Sequence, residues 1–494
     1  MGTSRSTTET RPGKDDVRCE NEVHVMAELL VDNPDLRVFW TSFDPLDLAS
    51  DSIDPLGFMA GYIALADRIL PGLTTITNVP RYAGMLCLAL RFARDAVGDD
   101  HGHGASARRR AIVEKLKLFE RAWALACGFA EREQSIGLKA TAGLRGVRAV
   151  HKWRDMHAQK ERVTLAFDLL SNQVRYGGIG AYSTFLESMH LADMGTLTLR
   201  PLGEELADAF PSPADFGLDV LREDVRLSVE AMRQWGCEAH TGTLSTTEAQ
   251  VFRRALQGGE ETEFDDVTRW TMLRLIRRCD AQEQNKEPRL LAQCLSALQQ
   301  SSRDGSNADP AASDRIRAAL RVIEPYERLF QCTAFVFDQL RCGATGNGQA
   351  NLGSVMKDES LVQACAEMRL ASSEFVARVG DAESAPGGKD LRQDIQKLGL
   401  TDLAQTLGGA SESPIEVGRE VIRRHQRVQE GKFDGGFPRG PWIRIEPGQP
   451  DVAHLTSQRF GLDGVKVPDS WESMPRHPYR TFGARRFIKL CKIS

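Results

Sequence analysis

The chain has 494 residues, 41% hydrophobic and 27% charged, with a net charge of −5. That length exceeds one ordinary core and predicts two to four domains, while the composition excludes a chain disordered throughout. Ten scattered cysteines with no CxxC pair and no Cys/His cluster exclude a disulfide framework and a structural zinc site.

No apolar run approaches the roughly 20 residues that cross a bilayer, and the N-terminus lacks the apolar core of a signal peptide. The expectation is a cytoplasmic protein with no membrane partner and no cofactor. Its fold class is expected to be mainly α: a multi-domain helical protein with a winged-helix-like unit and a basic C-terminal region containing loops and strands.

Residues 1–22 are polar and aperiodic and read as a mobile tail, followed by an N-terminal helical domain over 23–160. In "FDPLDLASDSIDP", Asp44, Asp47, Asp51 and Asp54 have helical spacing, but Pro45 and Pro55 favour a looped acidic stretch over a carboxylate cluster. "DPLGFMAGYIALADRIL" is a helix ending at Pro71–Gly72, and "TNVPRYAGMLCLALRFARDAV" is another, with Thr77 or Asn78 near its start and Pro80 in its first turn. His101 and His103 lie on a Gly-rich loop, a solvated turn more readily than a metal site.

Residues 139–162 carry seven cations against two acids, and Arg145, Arg148 and Lys152 fall on one helix face. Such a face can track phosphates or can simply be solvated. From 161 to 260 a helix, the Gly177–Gly178 turn, a second helix, a short strand at 197–199 and "PLGEELADAF" have the order of a winged helix. The second helix offers Glu187 and no Lys or Arg, so a packing or protein-contact role fits it better than DNA readout. Ser245 and Glu248 form a capping-box signature. A helical domain then spans 261–410, with flexible connections expected at 301–314 and 343–354.

The remaining residues, 411–494, are the basic region. From Arg419 onward there are 15 Lys and Arg against 8 Asp and Glu, a local charge of +7 that leaves −12 for the chain before it. Arg423, Arg424, His425 and Arg427 end an amphipathic helix, where cations also favour the helix dipole. Lys432, Arg439, Trp442, Arg476, His477, Tyr479 and Arg480 extend the bias through loop-like sequence. Guanidinium groups neutralise phosphates and aromatic faces stack on bases, so the mixture suits DNA; it also suits an acidic protein surface.

Motifs for catalysis are not found. "GATGNGQAN" and "APGGKD" do not meet the P-loop spacing, no GxSxG occurs, and "GDDHGHG" is not a dinucleotide fingerprint. "HPYR" has the His-x-x-Arg spacing of tyrosine recombinases, but no tyrosine follows Tyr479.

"RILPGLTTITNVPRYAGMLC", "VRYGGIGAY", "LTLRPLGEELADAF" and the tail "RRHQRVQEGKFDGG" with "HPYR" resemble segments of an uncharacterised family of bacterial proteins found in anti-phage defence gene neighbourhoods. The resemblance implies a defence setting with other defence-system proteins as partners, and no enzyme class. The expected function is a non-catalytic, DNA-associated component of a multi-protein antiviral system. The alternatives are a metal-dependent nuclease of such a system and a scaffold for a partner helicase or nuclease.

Overall fold

The computed structural model describes residues 54–98, 105–260, 262–281, 286–303, 305, 309–410, 412–434, 437–446, 448–462 and 467–493. The expected tail at 1–22, the acidic positions Asp44, Asp47 and Asp51, and the His101/His103 loop lie outside these residues. The structure is mainly helical. Its helices of eight residues or more are α1 (Met59–Ile69), α2 (Pro80–Val97), α3 (Ala105–Ala130), α4 (Val147–Met156), α5 (Gly178–Ser188), α6 (Pro201–Ala209), α7 (Val229–Ala239) and α8 (Thr246–Leu256). They continue with α9 (Phe264–Cys279), α10 (Glu287–Arg303), α11 (Pro310–Ala344), α12 (Glu359–Ala382), α13 (Gly388–Lys397), α14 (Leu400–Ala410), α15 (Pro414–Glu430) and α16 (Thr481–Leu490).

The described residues form two compact units, one within 81–183 and 192–242, the other within 54–80, 184–191 and 243–493. Within the stretch read as winged-helix-like, β2 (Ala192–Asp193) and β3 (Thr198–Leu199) form an antiparallel hairpin of two-residue strands. β1 (Arg162–Val163) pairs with β4 (Leu227–Ser228).

In the first unit, α3 is the central element. Its buried face, including Leu116, Phe119 and Trp123, packs on α7. A Cβ added to Gly236 would lie 2.0 Å from the Ala126 carbonyl oxygen, so only glycine permits this helix approach. Trp123 Nε1 joins the pair by donating to Ala239 O at 2.8 Å, and Trp235 Nε1 of α7 donates to Pro211 O, after α6, at 2.8 Å. Glu120 is buried and accepts from the Gly178 amide at 2.6 Å and from Gln173 Nε2 at 2.9 Å. A carboxylate at the start of α5 meets backbone N–H groups that have no helical partner.

The second unit is built on the 35-residue α11, which packs against α12, α1, α9 and α10. Pro325 sits inside α11 and removes one backbone donor there. The next residue, Tyr326, is buried and its hydroxyl donates to the Phe58 carbonyl. Short antiparallel strands β5 (Gln349–Asn351), β9 (Val452–Leu455) and β8 (Ile443–Ile445) form a three-stranded sheet in that order. Within the connection expected at 343–354, α11 runs to Ala344 and β5 pairs with β9 through Ala350 opposite Ala453. A two-residue hairpin, β6 (Phe433–Asp434) with β7 (Phe437–Pro438), follows α15. The capping box at the start of α8 forms as its sequence predicts.

Arg269 on α9 is almost wholly buried. It pairs with Asp266 and donates to the Leu256 carbonyl at 3.2 Å, the Ala255 carbonyl at 3.3 Å and the Pro71 carbonyl at 3.2 Å. One guanidinium thus meets carbonyls at the end of α8, where Ala255 also accepts from the Gly258 amide at 3.1 Å, and the Pro71 carbonyl in the turn after α1. Arg269→Leu leaves Asp266 buried without its cation and should cost about 3–5 kcal/mol, read as a lower urea midpoint at unchanged slope.

Candidate functional site

The C-terminal residues of the second unit enter its interior. At the end of α15, Arg424 Nε donates to the Leu56 carbonyl at 2.9 Å, and His425 Nδ1 donates to the Pro55 carbonyl at 2.8 Å. His425 Nε2 accepts from the Trp442 amide at 2.8 Å, and Lys432 donates to the Asp54 carbonyl. Three basic side chains thereby hold the Asp54–Gly57 turn that precedes α1. These contacts fix the neutral imidazole tautomer: the proton is on Nδ1 because Nε2 must accept. Burial pushes the His425 pKa down to about 4, and burial also lowers those of Arg424 and Lys432.

A second insertion is made by "HPYR". Glu327 on α11 is buried and accepts three hydrogen bonds: from the His477 amide at 3.0 Å, from His477 Nδ1 at 2.8 Å and from the Tyr479 hydroxyl at 2.6 Å. The His477 ring stacks on Tyr62 at 4.8 Å and packs against Phe330 at 4.2 Å. Arg480, with φ +62°, pairs with Asp67 and donates to the Leu70 carbonyl at 3.1 Å. A left-handed arginine costs about 1–2 kcal/mol, and these anchors hold it in place. Gln331 Nε2 donates to the Met474 carbonyl at 2.6 Å just upstream.

These contacts correct the expectation of a single exposed cationic surface. Arg424, His425, Lys432, His477, Tyr479 and Arg480 are largely withdrawn from solvent because their polar atoms complete interior hydrogen bonds. Arg423 is exposed but paired with Glu416 and Glu420, and Arg476 is paired with Glu324 at 2.9 Å. Trp442 is half-buried, stacked on Phe460 at 5.6 Å with the Arg341 guanidinium 5.0 Å from its ring. Arg439 is half-buried and its amide donates to the Lys432 carbonyl. Arg427 remains exposed.

The "HPYR" insertion also lines a cavity of about 140 Å³. Its walls are apolar, from Leu291 and Leu295 of α10 and Leu320 and Ile323 of α11; Glu287, Glu327, His477 and Tyr479 supply polar groups, and the Glu324–Arg476 pair lies at its border. Glu287 accepts from Thr481 Oγ1 at 2.7 Å. Burial, with the Glu327 charge adding to it, raises its pKa to about 7.

In the first unit, α4 carries the other predicted cations. Val150 is buried against Gly128, and Arg154 reaches the Gly128 carbonyl at 3.0 Å and Glu131 at 2.8 Å. Trp153 donates to the Thr164 carbonyl at 3.2 Å and stacks on Phe167 at 5.3 Å. Arg148 and Lys152 are left exposed one turn apart. Arg145 is only half-exposed: it precedes the helix, and its amide donates to the Tyr82 hydroxyl at 2.8 Å.

Glu327 and Glu287 have no signal in the sequence. Both read as ordinary polar positions on amphipathic helices, and the residues that make Glu327 a buried acceptor lie 150 positions downstream. Among the described residues no group of three or more His, Cys, Asp or Glu could hold a metal ion. No protein-family model, curated protein or solved structure matches the chain.

His425 and Glu287 act on stability with opposite signs. The imidazole is protonated more readily in the unfolded chain, where the ordinary His value is about 6.5. Its contribution is complete above that pH and is lost as pH falls towards about 4. Across that window it amounts to about 3 kcal/mol. Glu287 binds its proton more tightly when folded, so its contribution is present below about pH 4.5 and lost as pH rises towards about 7. Denaturation series from pH 4.5 to 8 should show His425→Gln lowering stability at pH 7 and removing the first slope, whereas Glu287→Gln removes the second and is favoured relative to wild type at pH 8.

Proposed function

We propose that the protein is a non-catalytic, DNA-associated component of a multi-protein bacterial defence system, and that it meets the phosphate backbone through the exposed face of α4. The defence setting rests on the resemblance of the "RILPGLTTITNVPRYAGMLC" and "VRYGGIGAY" segments. One observation carries the contact: Arg148 and Lys152 stand one helical turn apart, exposed and without a carboxylate partner among the described residues.

The face is prepared for this role by its mounting. Val150, Trp153 and Arg154 fix the opposite side of the helix, so its two cations are presented from a rigid element. Lys139 before the helix and Lys160 and Arg162 after it are also exposed. Residues 139–162 hold seven cations against two acids, and Arg154 is the member engaged with Glu131 and Asp155. Cations at this density release counterions from duplex DNA, and the resulting affinity is independent of sequence and steeply dependent on salt.

Fluorescence anisotropy with a labelled duplex at 50 and 200 mM salt tests the reading. Binding should weaken by at least tenfold between the two conditions. Arg148→Glu with Lys152→Glu should lower affinity at least tenfold and reduce the salt slope by about 2, whereas Arg423→Glu should change little. Affinity indifferent to salt, or equal in the double variant, overturns the proposal.

A further inference from the structure

We propose that the cavity between α10, α11 and the "HPYR" segment binds a small primary amine in its ammonium form, carried on an apolar body of about the size of a benzene ring. The site lies within the second unit and is independent of the α4 face. Three observations lead to this ligand.

The first is the distribution of donors and acceptors. His477 is 8% exposed, and its Nδ1 is committed to Glu327. Among the described residues its Nε2 has no hydrogen-bond partner, and in the tautomer that donates through Nδ1 it is an acceptor. The Tyr479 hydroxyl already gives its proton to Glu327, leaving an oxygen that can only accept. Glu287 uses Oε1 for Thr481, and once the carboxyl has lost its proton, above about pH 7, its other oxygen is an acceptor too. A lining made of acceptors selects a ligand with several donors on one atom, and an ammonium carries three.

The second is charge. Glu287, Glu324 and Glu327 border the cavity against Arg476, which is already paired with Glu324. The groups facing Glu287 are Glu327 from α11, Tyr62 from α1, and Thr481 and Arg485 from α16; burial outweighs the Arg485 charge and holds the Glu287 proton up to about pH 7. An ammonium beside it supplies the missing counter-charge and releases that proton. A carboxylate or phosphate ligand would meet the buried Glu327 and the half-buried Glu287 instead.

The third is shape. Leu291, Leu295, Leu320 and Ile323 give the remaining wall no hydrogen-bonding side-chain atom, so the body of the ligand must be apolar. An apolar cavity of about 150 Å³ accepts benzene; this one measures about 140 Å³ and is partly open, with the exposed Pro288 and Ala292 of α10 in its lining. The imidazole cannot swing away from the ligand, because Tyr62 and Phe330 pack on its ring.

The test is calorimetric titration of the full chain with benzylamine, benzyl alcohol and benzoate at pH 8 and pH 6. Benzylamine should bind at least tenfold more tightly than either analogue at pH 8 and lose affinity at pH 6, where Glu287 holds a proton. Glu287→Gln should abolish the preference for the amine while retaining the helical circular dichroism signal. Ala292→Phe, at an exposed lining position on α10, narrows the cavity without touching its charges and should weaken binding of all three at least tenfold. Equal affinity for amine and alcohol, a preference for benzoate, no binding of benzylamine at pH 8, or an amine preference that survives Glu287→Gln overturns the proposal.

Discussion

The carboxylate of Glu327 is the interaction on which the C-terminal arrangement depends. It is buried on a long helix, where an unpaired charge would be strongly unfavourable. Three donors from the His477–Tyr479 segment remove that cost at one stroke. The consequence is reciprocal: a segment with little secondary structure acquires a fixed position because an acid 150 residues earlier cannot be left alone. Arg480 then reaches Asp67 and the Leu70 carbonyl, so α1, α11 and the start of α16 are joined by polar contacts inside an apolar interior.

A related logic governs the turn before α1. Arg424, His425 and Lys432 donate to three successive carbonyl or near-successive positions, Leu56, Pro55 and Asp54, whose backbone has no helix or strand to satisfy it. Basic side chains suit this work because they are long, rich in donors and have apolar stems that pack well. A positive local charge count is therefore no measure of positive surface. In this region Arg419, Arg423, Arg444, Arg476 and Arg485 meet carboxylates, and others meet carbonyls.

The α4 face differs for a physical reason. Its helix has one side occupied by Val150, Trp153 and Arg154, and Arg148 and Lys152 lie exposed on the side turned away from them. Charges placed there by sequence spacing remain exposed. The cavity of the second unit is the converse case: its polar groups are legible only as members of a three-dimensional set.

Local rules in the sequence determined the helical class and several of its boundaries: Pro80 opening α2, the Ser245–Glu248 box opening α8, and the apolar spacing that buries Leu65, Ile69, Leu86 and Leu90. These depend on residues within a few positions of each other, which is why they can be read without a fold. The exposure of Arg148 and Lys152 follows from the same short-range periodicity. Only the tertiary structure decided which cations are spent on interior carbonyls, that 349–351 is a strand of a sheet, and that Glu287 and Glu327 share a cavity with His477. Burial and pairing join residues far apart in the chain, and the free energy of a buried charge is set by those distant partners.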